Sequence, residues 1–273
     1  QIAAKLATAA PAGPASASPL TGDLAGKSIE VVTDGGPRLR YRFGSEKRLS
    51  VAENGGRAVD AGDGALTLDH GTLFSHPVPG TQSGSHVVID GNTRLATVFE
   101  VWFSGFEDNR EVQREIYFGY VAEAGKPAPQ VRHSRTNRIE GKGFYWRQDT
   151  GVETLEFYPS TIYSNFVELT RLGGELSFCA PSDYVKVDDE LYVYARVECE
   201  FSGTMTLYVL DVTNSKIVRV DLDAQTVGTS FPVSVINTLR IIDYTRTNGV
   251  EGIASGSGGQ IFNAQTGTLF PPA

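Results

Sequence analysis

The residues best suited to chemistry concentrate in one alternating segment, Leu191 to Phe201, which reads LYVYARVECEF. Alternate side chains of a β-strand point to the same face, so Tyr194, Arg196 and Glu198 share one face. Arginine can anchor a substrate anion, whereas a carboxylate and a phenol can transfer protons. Two interpretations remain open. The polar face is either turned to solvent or lines a barrel interior, where these groups would be catalytic.

A second alternating segment, Glu111 to Val121, places another carboxylate beside a phenol. Glu115 and Tyr117 fall on one face of this predicted strand, toward its apolar end, where burial tunes the pKa of a carboxylate. We therefore treat both as candidate catalytic groups, with Glu115 as the alternative to Glu198 for transferring a proton beside Arg196. The competing interpretation is a surface strand whose acidic and basic side chains form ion pairs.

Five further residues are candidates for substrate binding. Glu100 alternates with apolar neighbours, so it either lines the interior or faces solvent. Trp146 can form an aromatic wall for a flat ligand, with ordinary core packing as the alternative. His133 belongs to the basic cluster RHSRTNR, which either caps a pocket for an acidic substrate or forms a solvated linker. The complete set is Glu100, Trp102, Trp146, Tyr158 and His133.

The sequence carries no pattern typical of a metal or organic-cofactor site. Its four histidines do not occur at spacings such as HxH or HExxH, and no CxxC pair is present. Phosphate-binding loops, dinucleotide-binding glycine motifs and the G-x-S-x-G nucleophile motif are absent as well. We predict no metal and no cofactor, which disfavours hydride transfer, phosphoryl transfer and serine hydrolysis. Cys179 and Cys199 form either one bridge or two buried thiols.

Composition excludes several broad classes of protein. The 273 residues carry a formal net charge of −8, so the chain has no basic field for nucleic acid. No apolar run reaches the roughly 20 residues that a membrane-spanning helix requires. The expected partners are a small-molecule substrate or ligand and, in a homodimer, a second copy of the chain, with no nucleic acid and no membrane. We expect a cytoplasmic location, with export as the alternative because the chain starts at Gln1 without an initiator methionine.

Short alternating segments separated by glycine, aspartate and asparagine turns run along the chain from Leu24 onward. Ser28 to Thr33 is followed by the turn Asp34 to Gly36 and by the alternating segment Arg38 to Phe43, which predicts a β-hairpin. No segment keeps the helical period of about 3.6 residues over more than two turns. Regularly spaced short strands predict an all-β barrel or sandwich, which must position the residues named above.

The chain also repeats itself, with the second copy about 115 to 121 residues after the first. Leu24-Ala-Gly-Lys27 returns as Ile139-Glu-Gly-Lys142, and VIDGNTRLATV from Val88 returns as VLDVTNSKIVRV from Val209. A duplicated antiparallel unit explains these matches and their order. The predicted organisation is a flexible Ala/Pro-rich tail at 1–21, a first barrel unit at 22–125, a linker at 126–138, a second barrel unit at 139–225, and C-terminal strands with a Gly-rich tail at 226–273.

Three segments carry a resemblance to a known family. They are PVPGTQSGSHVVIDGNTRLATVFEVWFSGFEDNREVQREIYFGY, GKGFYWRQDTGVETLEFYPSTIYSNFVEL and SDYVKVDDELYVYARVECEFSGTMTLYVLD. They resemble the molybdenum cofactor biosynthesis protein F (MoaF-like) family, and the resemblance covers about residues 22–225. It implies a β-barrel fold related to lipocalins and other calycins, with two similar units per chain. Similar single barrels include the cofactor-free phenolic acid decarboxylases, an analogy of fold that transfers no residue.

Two functional hypotheses follow. In the first, the chain is a metal-independent lyase, isomerase or cyclase. It holds an aromatic or polyketide-like substrate in a barrel interior and catalyses decarboxylation, isomerisation, cyclisation or elimination by proton transfer. In the second, a lipocalin-like barrel binds or carries a small molecule without changing it. The many glutamates, tyrosines and arginines at alternating strand positions favour the enzyme, since a carrier of an apolar ligand favours an apolar interior.

Overall fold

The computed structural model of the chain describes residues 24–45, 48–62, 64–68, 71–78, 81, 83–103, 112–148, 153–168, 177–197, 204–211, 216–223, 233–243, 254–255, 261–263 and 268–270. The regular secondary structure of these residues consists of β-strands alone, so the predicted all-β class is confirmed. The strands form two large, curled antiparallel sheets and one small sheet of two strands.

The first sheet contains nine strands: β1 (Ser28–Thr33), β2 (Arg38–Ser45), β3 (Arg48–Glu53), β4 (Val59–Gly62), β5 (Gly64–Leu68), β6 (Gly71–Pro77), β7 (Ser83–Asp90), β8 (Leu95–Phe103) and β9 (Val112–Val121). Their order is β4-β3-β2-β1-β9-β8-β7-β6-β5, so β9 returns to pair with β1. β4 and β5 are the two edge strands of the sheet, yet only residue 63 separates them along the chain. The sheet must therefore curl so that its two edges come close together. It is a curled meander.

The second sheet contains ten strands: β10 (Ser134–Arg135), β11 (Lys142–Gln148), β12 (Glu153–Phe157), β13 (Tyr163–Glu168), β14 (Ser177–Lys186), β15 (Leu191–Val197), β16 (Thr204–Asp211), β17 (Lys216–Asp223), β18 (Val233–Asp243) and β19 (Ala254–Ser255). It too is a meander, and its strand β18 returns to pair with β11. The first half of β14 pairs with β13 and the second half pairs with β15, so the path of paired strands closes on itself. The small sheet joins β20 (Ile261–Asn263) to β21 (Thr268–Phe270).

The two large sheets begin in the same way, at the repeated sequence motif. Gly26 precedes β1 and Gly141 precedes β11, and their φ angles are 78° and 82°. The N–H of Gly26 donates to the Phe43 carbonyl, and that of Gly141 donates to the Tyr158 carbonyl, each at 2.8 Å. A positive φ is strained for a residue with a side chain, which explains why glycine occurs in both copies of the motif.

Three apolar clusters stabilise the sheets. One fills the interior of the first sheet around Tyr41, Phe43 and Phe74, and one fills the interior of the second sheet, where five of its seven members are tyrosines. The third lies between the sheets and includes Phe99 of β8 and Val193 of β15. Because side chains alternate along a strand, the opposite faces of β8 and β15 are directed into the two sheet interiors.

The sequence pattern predicted most of the longer strands but missed β3, β4 and β11, as well as the short strands β10, β19, β20 and β21. β3 (RLSVAE) and β4 (VDAG) are short and rich in small or polar residues, so their alternation is weak. The predicted linker, 126–138, contains only the two-residue strand β10 among regular elements. β18 lies beyond residue 225 and pairs along β11, so the second sheet draws on residues after the predicted end of the second unit.

Candidate active site

Arg196 lies on β15 and points into the interior of the second sheet, where only 2% of its surface is exposed. Its orientation follows from strand alternation. Val193 and Ala195 pack into the cluster between the sheets, so Tyr194 and Arg196 occupy the opposite face. This strand therefore turns its polar face to the interior and not to solvent.

The carboxylate that pairs with Arg196 is Glu156 of β12, on the facing wall of the same interior. Nη1 of Arg196 donates to Oε1 of Glu156, and Nη2 donates to the hydroxyl of Tyr208. Glu156 is fully buried, and its Oε2 accepts hydrogen bonds from Tyr194 and, at 3.1 Å, from Tyr158. One guanidinium and two phenols thus converge on a single carboxylate. We call these five residues the Arg196 network.

Aromatic rings surround this ion pair. Tyr184, Tyr194 and Tyr208 lie side by side in register across β14, β15 and β16. The rings of Tyr194 and Tyr208 stack with centroids 4.4 Å apart and planes 4° apart. The guanidinium of Arg196 lies over the rings of Tyr208 and Phe166, at 4.8 and 5.3 Å from their centroids. Cation–π contacts of this kind stabilise a charge that has been removed from water.

Burial sets the protonation of the phenols in the Arg196 network. It raises the pKa of Tyr158 and of Tyr194 well above the usual value, and the negative charge of Glu156 raises both further. The same two causes, in the same order, raise the pKa of Tyr184. The phenols therefore stay protonated at neutral pH and act as hydrogen-bond donors. A carboxylate that can accept a proton thus lies beside groups that can stabilise a negative oxygen.

A second polar set lies in the interior of the first sheet. His76, Ser85, Glu100 and Glu115 are directly opposite one another, in that order, across β6, β7, β8 and β9. His76 and Ser85 are buried, Glu100 is half-buried and Glu115 is exposed. This row therefore runs from the interior of the sheet to its open end.

Tyr117 follows Glu115 on the same face of β9 and donates its hydroxyl hydrogen to that carboxylate. This bond, with smaller contributions from burial and nearby acids, raises the pKa of Tyr117 to about 12. Trp102 lies on β8 two residues beyond Glu100, and 38% of its surface is exposed. Burial raises the pKa of Glu100, and the charges of Glu53 and Glu115 raise it further.

The structure thus divides the predicted site residues between two interiors. Arg196, Tyr194 and Tyr158 come together in the second sheet, whereas the remaining described candidates with inward positions lie in the first: Glu100, Trp102, Glu115 and Tyr117. Glu115 is therefore not the partner of Arg196. Glu198 lies outside the described residues.

Two other predicted substrate-binding residues have different surroundings. Trp146 lies on β11, but its side chain falls outside what the structure describes. His133 is not part of a solvated linker, because it is 3% exposed and its Nδ1 forms a 2.8 Å hydrogen bond with Thr97 Oγ1. Cys179 is exposed rather than buried, and Cys199 is outside the described residues.

The roles of several residues in these sites could not be predicted from the sequence. Glu156 is visible as an acid beside a phenol, but its role as the partner of Arg196 depends on contacts 40 residues apart along the chain. His76 precedes a proline, which favours a loop, whereas the residue lies on β6. Tyr184 and Tyr208 are recognisable only once the register of β14, β15 and β16 is known.

A surface cavity of about 410 Å³ lies away from both polar interiors. It follows the outer face of β2 and β3 and is lined by Arg38, Arg40 and Arg42 beside Glu30. Nε of Arg38 lies 2.5 Å from Glu30, and Nη2 of Arg40 lies 3.5 Å from it. Because these ion pairs are solvent-exposed, they contribute little to stability. The ion pair of Arg196 and Glu156 differs in being buried.

In the part of the chain that the structure describes, no group of three or more histidine, cysteine, aspartate or glutamate side chains is arranged to hold a metal ion. The same residues contain no helix long and apolar enough to span a membrane. Comparison of the chain with protein-family models and with curated proteins finds no match.

Proposed function

We propose that the chain is a cofactor-free enzyme that acts on a small aromatic or polyketide-like molecule by proton transfer inside the second sheet. The observation that carries this proposal is the inward ion pair of Arg196 and Glu156, surrounded by phenols. In the proposed roles, Arg196 and Tyr208 bind a substrate oxygen that gains negative charge during the reaction. Glu156 transfers a proton to or from the substrate.

A comparison with the first sheet supports a functional role for this charge. Gly26 donates to the Phe43 carbonyl in the first sheet as Gly141 donates to the Tyr158 carbonyl in the second, so Phe43 and Tyr158 are equivalent. Two residues before each of them, Tyr41 in the first sheet corresponds to Glu156 in the second. Tyr41 packs among apolar rings there, which means that the fold does not require a charge at this position. Burying an ion pair costs several kcal/mol in desolvation, and apolar residues of similar volume are often as stable.

We further propose that the two curled sheets are duplicated calycin-like barrels and that the chain is a MoaF-like protein. The supporting observations are the repeated glycine motif and the return of the last meander strand to the first in each sheet. The hairpin β7–β8 and the strands β16 and β17 also carry the repeated segments that begin at Val88 and Val209. The fold analogy with cofactor-free decarboxylases then makes aromatic carboxylic acids suitable first probes.

The test incubates the full chain with 4-hydroxycinnamate and follows both binding, by saturation-transfer NMR, and conversion, by chromatography. We expect binding and conversion by the wild type. In folded Glu156→Gln, turnover should fall by about 10²-fold or more while binding persists, because glutamine keeps the side-chain shape but cannot transfer the proton. Since the variant also leaves Arg196 buried without an anion, its folding is measured alongside its activity. The matched control is Glu123→Gln, which changes an exposed glutamate outside both interiors and should keep full activity.

Each other outcome has a definite meaning. Binding without conversion by the wild type would support the lipocalin-like carrier instead of the enzyme. Conversion that is unchanged in folded Glu156→Gln would overturn the proposed role of Glu156. Absence of both binding and conversion across a panel of hydroxycinnamates, saturated arylpropionates and polyketide-derived phenols would overturn the proposed substrate class.

A further inference from the structure

We propose that the open end of the first sheet binds an organic cation, a protonated amine carried on an aromatic or apolar body, at a site separate from the Arg196 network. The site consists of the inward residues Tyr41, Glu100, Trp102, Glu115 and Tyr117. It lies in the sheet that the proposed enzyme chemistry does not use, so it is an additional function.

Strand register brings the acids of this site together. Glu100 and Glu115 are directly opposite each other on β8 and β9, and such pairs have Cβ atoms about 4.5–5.5 Å apart. Glu53 of β3 lies opposite Leu39, whose side chain belongs to the interior cluster, so Glu53 faces the same interior. Like charges opposite each other destabilise a sheet.

No cation among the described residues offsets these charges. Within the described residues, no Lys, Arg or His forms an ion pair with Glu53, Glu100 or Glu115. Glu100 also has no hydrogen-bond partner among the described residues. Other acids of the protein behave differently. Asp34 pairs with Arg132, and Asp183 pairs with Arg114.

A buried phenol provides an independent sign of a missing partner. Tyr41 is 0% exposed, and its hydroxyl has no hydrogen-bond partner among the described residues. Its ring reaches across the interior to His76, with centroids 5.5 Å apart, and His76 begins the row that ends at Glu100 and Glu115. A buried hydroxyl without a partner destabilises the protein, so a ligand atom that bonds to it removes this cost.

The donor set favours an organic cation over a metal ion. No group of three metal-binding side chains is arranged here within the described residues. The walls beside the acids are aromatic, with Trp102 38% exposed and the Tyr117 ring next to Glu115. Aromatic faces attract ammonium groups and supply apolar contact for the body of the ligand. Burial and then the charges of Glu53 and Glu115 raise the pKa of Glu100. A cation bound nearby would lower this pKa again, because it favours the charged carboxylate.

The experiment compares three probes that share one skeleton: phenethylamine, 2-phenylethanol and phenylacetate. Isothermal titration and tryptophan fluorescence measure their binding to the full chain. We expect phenethylamine to bind at least about tenfold more tightly than 2-phenylethanol, and phenylacetate, which the Arg196 network could bind, not to displace phenethylamine. Glu100→Gln should weaken phenethylamine binding about tenfold or more, because it removes the inward negative charge while keeping the side-chain shape.

Two control variants and one site variant test whether the amine binds at this site and not elsewhere on the chain. Glu123→Gln, an exposed acid that pairs with Lys126, should leave phenethylamine binding unchanged. Glu156→Gln should also leave it unchanged, so failure of the Arg196 network as an enzyme site and failure of the amine site are distinguishable. Tyr41→Phe should keep the fold, since only a hydroxyl without a partner among the described residues is lost, and should weaken phenethylamine binding.

The proposal is overturned if the three probes bind alike or none binds at millimolar concentration. It is also overturned if folded Glu100→Gln binds phenethylamine as the wild type does. Acidification gives a second measurement. Because protonation of Glu100 removes its charge, phenethylamine affinity should fall as the pH is lowered through the raised pKa of this residue. Affinity that does not change with pH would contradict the proposed ion pair.

Discussion

The guanidinium of Arg196 neutralises a carboxylate that water cannot reach. Replacing Arg196 with methionine leaves the Glu156 charge buried without a cation, which typically costs about 3–5 kcal/mol. We therefore expect Arg196→Met to lower the free energy of unfolding, measured by urea denaturation, by about that amount. The double variant Arg196→Met, Glu156→Gln should recover much of the loss, because no buried charge remains.

An exposed arginine provides the control for this prediction. Arg38 pairs with Glu30 on the outer face of β2, where 58% of the Arg38 side chain is exposed. Arg38→Met should therefore change the free energy of unfolding far less than Arg196→Met does. Equal effects of the Arg196 and Arg38 substitutions would show that burial of the ion pair has been misjudged.

His133 makes stability depend on pH. Burial lowers the pKa of His133 to about 4, against smaller opposing effects of Asp90 and Asp188. The unfolded chain binds a proton below about pH 6.5, whereas the folded chain binds it only near pH 4. Stability from this residue is therefore present above about pH 6.5 and is lost as the pH falls toward 4, by about 2–4 kcal/mol in total.

The measurement is the free energy of unfolding between pH 7 and pH 4 for the wild type and for His133→Asn. The variant keeps a polar atom near Thr97 but cannot titrate, so its stability should fall less steeply with acid. Parallel pH profiles for the two proteins would contradict the assignment to His133. His86, whose pKa burial and then His76 lower to about 3, remains in both proteins and contributes equally.

The hairpin between β1 and β2 holds Tyr117 in place. A Cβ on Gly36 would lie 2.3 Å from Cδ1 of Tyr117 and 2.7 Å from Oγ1 of Thr33. Gly36→Ala should therefore displace the Tyr117 ring and lower the free energy of unfolding by about 1–3 kcal/mol, as overpacking typically does. Adding Tyr117→Ala to Gly36→Ala should remove most of this clash, which a double-mutant cycle measures.

Gly44 is the matched control for the hairpin prediction. A Cβ there meets its nearest atom at 3.6 Å, which is ordinary van der Waals contact. Gly44→Ala should therefore change the stability only slightly, and a loss as large as that of Gly36→Ala would show that the contact with Tyr117 is not the cause. Since Tyr117 belongs to the proposed amine site, Gly36→Ala should also weaken phenethylamine binding.

The whole molecule depends on the apolar cluster between the two sheets. Phe99 is fully buried in that cluster, whereas Phe43 is buried inside the first sheet. Replacing either with alanine should cost about 3–5 kcal/mol. Hydrogen exchange should distinguish them. Phe99→Ala should accelerate exchange in β15 as well as in β8, while Phe43→Ala should accelerate exchange mainly in the first sheet. Confinement of both effects to the first sheet would contradict a shared core.

Local sequence determined the class of structure and many strand positions. The hairpin of β1 and β2 follows from alternation around a glycine turn, and β9 (Val112–Val121) nearly coincides with the predicted Glu111 to Val121. These features depend on neighbouring residues, so local patterns predict them. The glycine motif before each sheet was also recognisable, because a positive φ restricts the residue type. β3 and β4 were missed because their apolar alternation is weak.

Only the tertiary structure decided what the polar residues do. Alternation placed Tyr194 and Arg196 on one face, but it could not distinguish solvent from interior, because both faces of β15 are covered. The pairing of Arg196 with Glu156, and the placement of Glu115 in the other sheet, depend on which strands curl together. Long-range contacts between facing walls carry no local sequence signal, so the sequence supplied the chemical groups and the fold selected their partners.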